Sequence, residues 1–297
     1  MPAANDLYRS ILLLGSEGML GHAVVDALSR RGHQPNCPTL AQLDICDQAA
    51  LSAVFDRSRP TLVLNCAAHT NVDLCERESQ KADDINGRAV GTIAVLCRSN
   101  GAVLLHISTD FVFDGSLRRP YRADDPVNPL SAYGRSKLLG ETELKKNAPQ
   151  HWLIVRTAWL YGRYGTNFPR TIVQAAQAGK PLYVVNDQTG SPTYAPDLAQ
   201  AILAILDSGA RGIWHVTNAG QTTWFDFAKA TLAEFGIKAE LAPLGSQQWK
   251  QMRPNSAIRP AYSVLDIEPF TRQTGHTMRP WPAALADFRQ AVQANGF

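Results

Sequence analysis

Short apolar runs alternate with longer stretches of helical spacing along most of the chain. Ser10 to Leu14 reads as a buried strand, and Met19 to Leu28 places its apolar residues at a helical period. Further apolar runs at Thr61 to Asn65, Val103 to Ile107 and Trp152 to Val155 each follow or precede a helical pattern, at Gln48 to Ser58, Ser79 to Ser99 and Ser131 to Lys146. This rhythm predicts an α/β fold, a doubly wound parallel sheet with helices on both faces. Right-handed crossovers then gather the carboxyl ends of the strands on one edge, where ligands of such sheets bind. Counted along the chain, Asn65 to Thr70 ends the fourth strand, Ser108 to Asp110 the fifth and Arg156 to Trp159 the sixth.

Beyond about Phe168 the pattern loosens. Asn186 to Thr193 is a turn-rich loop, helices are expected near Pro196 to Leu206 and over Trp224 to Glu234, and the proline breaks between Leu241 and Pro260 read as irregular structure. The expected division is a dinucleotide-binding domain over residues 1–165 and a smaller, mainly substrate-binding lobe over 166–297, with later segments free to return to the sheet.

Bulk properties narrow the function. A chain of 297 residues with 45% apolar content buries a large core. The formal charge of +3, with no basic block beyond Arg118-Arg119 and Lys145-Lys146, argues against a nucleic-acid partner. No apolar stretch reaches the length of a membrane span and the start lacks the pattern of a signal peptide, so a cytoplasmic protein without a membrane partner is expected. The five cysteines, Cys37, Cys46, Cys66, Cys75 and Cys97, form an odd set without a C-x-x-C pair, which suggests reduced and mostly buried thiols.

Two motifs carry chemistry. Gly15-Ser-Glu-Gly18-Met-Leu-Gly21 sits at the first strand-to-helix junction, where backbone amides can meet a pyrophosphate. A tight turn whose glycines merely accept positive φ explains the same residues. Tyr133 and Lys137 stand at i and i+4, on one helix face. There the ammonium can lower the phenol pKa and hold a nicotinamide ribose, which makes Tyr133 a proton donor for a carbonyl that receives hydride. That pair tips the Gly turn towards a cofactor site.

With these motifs placed, the chain resembles the extended short-chain dehydrogenase/reductase family almost end to end. The resemblance rests on Gly15 to Gly21, Asn65 to Asp73, Ser108 to Gly115, Tyr133 to Glu141, Arg156 to Tyr161, Asn186 to Thr193 and Arg259 to Ser263. It implies a Rossmann-type sheet with a C-terminal substrate lobe, NADPH or NADH as cofactor, and a nucleotide-sugar substrate: a deoxythymidine-diphosphate 4-keto-6-deoxy sugar reduced at carbon 4 to the L-rhamnose nucleotide. Thr109, Tyr133 and Lys137 match the catalytic positions. Gly15, Gly18, Met19 and Leu20 match the pyrophosphate contacts, Asp44 and Ile45 the adenine side, where Asp44 reads equally as an acidic loop residue without function, and Ala68, His69 and Thr70 the adenosine and ribose path. Asp110, next to Thr109, is a candidate sugar contact, Trp159 offers a flat face for the sugar or base but reads equally as core, and Arg259 is a diphosphate partner or a surface or structural arginine.

The departures are informative. Gln34 to Thr39 carries neither the acid nor the base that selects between NADH and NADPH, and Arg30 and Arg31 are best read as cations ending a helix. Some family members dimerise through a metal held by glutamates; here Ala23, beside His22, takes that position, so no metal and a monomer or weak homodimer are expected. Dehydratases of the same scaffold need an Asp-Glu pair where this chain has Asp110-Phe111. A 4-epimerase would hold its nicotinamide through the cycle. A different class shares the fold as well, the NADP-binding regulatory subunit of methionine adenosyltransferase, which needs no competent triad.

Overall fold

The structure, a computed structural model, describes residues 4–295. Five parallel strands form the central sheet in chain order: Ile11–Leu14, Leu62–Asn65, Val103–Thr109, Trp152–Thr157 and Gly212–His215. The register aligns Leu13 with Leu64, Leu64 with Leu105, Leu105 with Leu153, and Leu153 with Gly212. Side chains alternate between two cores. Leu13, Leu64, Leu105 and Val155 face one core, shared with the helices Met19–Arg30 and Ala195–Asp207. Leu12, Val63, Leu104 and Ile154 face the other, with Gln48–Ser58 and Ala89–Asn100. Burial on both faces is why the first four strands read as largely apolar runs, whereas the edge strand Gly212–His215 is mostly half-buried. The doubly wound Rossmann-type sheet expected from the sequence is the one observed.

The strand count is corrected. The segment around Asn36 makes a single parallel bridge to Leu12, because Pro35 and Pro38 flank it and cannot donate to a ladder. Asn65, Thr109 and Thr157 therefore end the second, third and fourth strands of the sheet, not the fourth, fifth and sixth. The expected helix over Ser79 to Ser99 is also interrupted. Asp84–Arg88 forms a π-helical turn between Ser79–Asp83 and Ala89–Asn100. Gly87 lies in that turn, where an added Cβ would come within 2.5 Å of the Leu139 side chain.

Residues 195–216 return to the sheet as a buried helix and the fifth strand. The remaining C-terminal segments build two apolar clusters, one around Tyr161, Tyr194, Phe227 and Phe288 and one around Ile172, Leu182, Val184 and Leu232. The helix Trp224–Glu234 has its expected bounds and is capped by Thr223. Leu241 to Pro260 is not wholly irregular: Leu241–Leu244 pairs in parallel with Leu182–Val185, and Ser246–Met252 is helical. A lone two-strand edge tolerates Pro243, which a central strand would not. Two cysteines are buried, Cys75 and Cys97; Cys46 is exposed and the others half-buried, fewer buried thiols than expected. Among the described residues no helix is long and apolar enough to cross a membrane.

Candidate active site

The Gly turn is built by close approach. A Cβ on Gly15, which has φ of 78°, would meet the Ala67 nitrogen at 2.5 Å, and one on Gly21 would meet the Gly15 carbonyl at 2.2 Å. Gly18 differs: its φ is −77°, and only the Gly15 carbonyl comes near, at 3.3 Å. It heads the helix Met19–Arg30 without any side-chain cap, so the first amides there are available to an anion. Leu20 is buried in the core and Met19 packs beside Gly162, so these two face the turn through their backbone alone. This cradle fits a dinucleotide pyrophosphate.

One residue of the turn escaped the sequence reading. The Glu17 carboxylate accepts from the Leu40 amide at 2.8 Å, which puts a negative charge where the turn meets the segment after Asn36. Its place inside the glycine motif was the available signal.

The helix Ala132–Lys146 carries the Tyr/Lys pair. Ser131 caps it by accepting from the Gly134 amide at 3.1 Å, and Glu76 accepts from the Ala132 amide at 2.8 Å. The helix lies close to its neighbours because a Cβ on Gly134 would sit 2.3 Å from the Phe111 carbonyl and one on Gly140 2.2 Å from that of Asn86. Tyr133 packs edge-on against Phe111 and lies beside Thr109. Burial pushes its phenol pKa up, opposed by Thr109 and reinforced by Asp110. The expected lowering by Lys137 is not what this geometry produces, because the ammonium turns to other partners. Lys137 Nζ donates to the Ile107 carbonyl at 2.6 Å and lies 3.2 Å from His106 Nε2. Burial lowers its pKa to about 8, with Glu141 acting in the opposite direction.

Thr109 ends the third strand and donates to Asp110 Oδ1 at 3.0 Å. Asp110 is 2% exposed, and its other oxygen lacks a partner within the protein. Burial raises this carboxyl to about 7, with Ser263 and Thr109 pulling it down. The structure thus brings Thr109, Asp110 and Tyr133 together at one strand end, with Lys137 one helical turn away.

The remaining expected residues divide. The backbone of His69 is gripped at both ends by Asn86, whose Oδ1 accepts from the His69 amide at 2.8 Å and whose Nδ2 donates to its carbonyl at 3.0 Å. This places Ala68, His69 and Thr70 beside the π turn, above the second strand. Asn86-Gly87 inside a helical pattern was the signal for that irregularity. Asp44 is exposed and turns one oxygen back to the Cys46 amide, while Ile45 is buried in the sheet's core. Trp159 lies flat on Trp224, centroids 3.5 Å apart and planes 9° apart, with a left-handed backbone at φ 46°. One face of its ring is therefore occupied. Arg259 is committed as well, to Asp73 at 2.9 Å and to the Ala257 carbonyl at 3.2 Å. Beside that pair a cleft of about 310 Å³ is walled by Arg77, Arg135 and Lys250, three cations the sequence reading passed over, together with the Glu76 carboxylate.

Comparison with known proteins agrees with this geometry. The family model described as "RmlD substrate binding domain" matches residues 9–294. A relative from Streptomyces niveus, a dTDP-4-keto-6-deoxy-D-glucose reductase, is 40% identical over 92% of this chain and 94% of its own. The crystal structure of a dTDP-4-dehydrorhamnose reductase from Clostridium acetobutylicum superposes with a TM-score of 0.90 at 36% identity, covering 96% of this chain and 99% of that one. The same enzyme from Bacillus anthracis, in complex with NADP, gives 0.89 at 32% identity, covering 95% and 99%. With a match spanning both the sheet and the lobe, the chain belongs to the RmlD substrate binding domain family.

Proposed function

We propose that the protein is an NAD(P)H-dependent oxidoreductase that reduces the 4-keto group of a dTDP-6-deoxy-hexulose to dTDP-L-rhamnose. The observation that carries this reading is the junction of Thr109, Asp110 and Tyr133 at a strand end, one turn from Lys137. When bound, the reduced nicotinamide supplies the hydride. As charge grows on the ketone oxygen, the Tyr133 phenol gives a proton and the Thr109 hydroxyl donates a hydrogen bond. Lys137 holds the ribose hydroxyls; Gly15, Gly18, Met19 and Leu20 offer backbone to the pyrophosphate; Ile45, Ala68, His69 and Thr70 flank the adenosine and ribose, with Asp44 at the adenine end. Trp159, its ring held between Trp224 and Gly190, walls the sugar site by an edge. For the substrate diphosphate, Arg77, Arg135 and Lys250 supplement Arg259, whose fork is already engaged by Asp73.

Glu17 adds a cofactor preference. A carboxylate fixed against Leu40 opposes a 2′-phosphate, so NADH is favoured over NADPH, and Glu17→Gln narrows the ratio of the two dissociation constants by about tenfold, the effect of one near charge. Fluorescence titration with both cofactors checks it; an unchanged ratio removes Glu17 from the selection. A cytoplasmic location and a monomer or weak homodimer belong to the same proposal.

The deciding assay supplies NADH or NADPH with a panel of freshly made 4-keto nucleotide sugars and follows the nicotinamide absorbance. Loss of absorbance with the dTDP-6-deoxy sugar is expected. No loss with any of them, together with a tight protein partner in pull-downs, would instead favour the regulatory-subunit reading.

A further inference from the structure

Behind Lys137 lies a buried polar chain that the proposed chemistry does not use. His106, from the middle of the third strand, is fully buried, and its two ring nitrogens have different partners. Nε2 lies 3.2 Å from Lys137 Nζ, and Nδ1 lies 3.1 Å from Asn65 Nδ2. Asn65 is also fully buried, and its oxygen accepts from the Ala67 amide at 3.2 Å. Ala67 is the residue against which Gly15 is pressed. A continuous path therefore runs from the lysine through His106 and Asn65 to the loop that borders the Gly turn.

Donor counting gives this path a consequence. The Ala67 amide fixes the Asn65 oxygen, so the Asn65 NH2 group faces Nδ1 and Nδ1 must accept. The ring is held neutral by burial and by Lys137, so its proton sits on Nε2, facing Nζ. Nε2–H can then meet Lys137 only as a neutral amine, or the Asn65 amide turns over and Nε2 accepts from the ammonium. In either arrangement a single proton is shared between Nε2 and Nζ, and the direction of Nζ is set by His106 and the Ile107 carbonyl together.

We propose that His106 is a positioning residue for Lys137, fixing where the amine sits and tying it through Asn65 to the Ala67 loop, so that ribose grip and loop conformation are set as one unit. The proposal rests on the reading of Lys137 as the residue that holds the cofactor ribose. The other ionisable groups that face this pair are Glu141 on the same helix and Cys66 just past the second strand.

Two amide substitutions separate the two contacts. The oxygen or nitrogen of His106→Gln reaches as far as Nε2 and can still meet Lys137; that of His106→Asn reaches only as far as Nδ1 and keeps Asn65 alone. The measurements are NADH and NADPH dissociation constants by fluorescence across pH 6 to 9, and the melting temperature. We expect His106→Gln to bind within about threefold of the parent and His106→Asn to weaken binding by about tenfold or more, as loss of a hydrogen bond to a charged group does, with a displaced pH dependence and a similar melting temperature. Equal affinities and equal pH dependence in the two variants overturn the positioning role, as does a loss of affinity that follows the melting temperature alone. A parent protein that binds neither cofactor overturns the ribose reading of Lys137, and this proposal with it.

Discussion

Behind Tyr133, the catalytic helix is held by directional polar bonds. Glu141, fully buried, takes Arg156 in a two-pronged pair at 2.7 and 2.8 Å and the Ser108 hydroxyl at 2.6 Å. Around Trp159, the lobe is held by rings instead: Trp224 stacks on Trp159 and meets Phe168 at 4.5 Å, while Tyr161 meets Phe227 and Phe288 at 5.5 Å. Hydrogen bonds of this kind tolerate little displacement, whereas stacked and edge-on rings adapt with small loss. On the proposed reading, the reacting groups stand on the side built for fixed position, and the sugar wall on the side that can be reshaped. A shared reduction chemistry with different sugars is compatible with that division.

The largest expected effect tests the fixed side. Tyr133→Phe removes one hydroxyl and leaves the ring on Phe111, so turnover should fall by about 10² to 10⁴ while cofactor affinity stays within a few-fold. Turnover within about tenfold of the parent would take the donor role from Tyr133, since the expected loss is at least ~10².

Next come the supports. Glu141→Gln leaves the Arg156 guanidinium buried without its counter-charge and should cost about 3–5 kcal/mol in urea denaturation. Phe288→Leu, the parallel cut among the rings, should cost less than about 1.5 kcal/mol because the cluster can repack around a similar volume. Equal losses would erase the contrast between the two regions.

Trp159→Ala is smaller again for function. A stacking wall contributes mainly uniform binding, so KM should rise by up to about tenfold with kcat nearly unchanged, from about 0.5–1.5 kcal/mol of ring contact. An unchanged KM with a lower melting temperature would make Trp159 a core residue resting on Trp224.

The smallest effect is a pH slope. Asp110 ionises at about 7, and the anion claims the Thr109 hydrogen and makes the Tyr133 phenol a weaker acid. Turnover should decline as pH rises through about 7 and lose that step in Asp110→Asn, which cannot ionise. A variant that keeps the step places the titrating group elsewhere.

Much of this arrangement was legible in the chain. Periodicity located four of the five sheet strands because those four are buried on both faces, whereas the edge strand Gly212–His215, mostly half-buried, offered no such run; the i, i+4 spacing of Tyr133 and Lys137 survives folding since both lie within one helix. What escaped depends on partners distant in sequence. His106 is a polar residue in the third strand whose partners, Lys137 and Asn65, lie far off in sequence, and Arg259, a diphosphate partner or a structural arginine by sequence, is engaged by Asp73. The π turn was hidden because Asp84 to Arg88 keeps helical character, and its shift shows only where Asn86 reaches His69. The strand at Leu241–Leu244 was obscured by Pro243, which reads as a break unless the strand is known to lie at an edge.

The single bridge between Asn36 and Leu12 has a practical meaning for redesign. Because the segment from Cys37 to Leu40 is not woven into the ladder, its residues can be exchanged, shortened or given a basic side chain without breaking sheet hydrogen bonds. If Glu17 and Leu40 border the cofactor as proposed, coenzyme usage can be altered in this segment with the helix that carries Tyr133 left untouched.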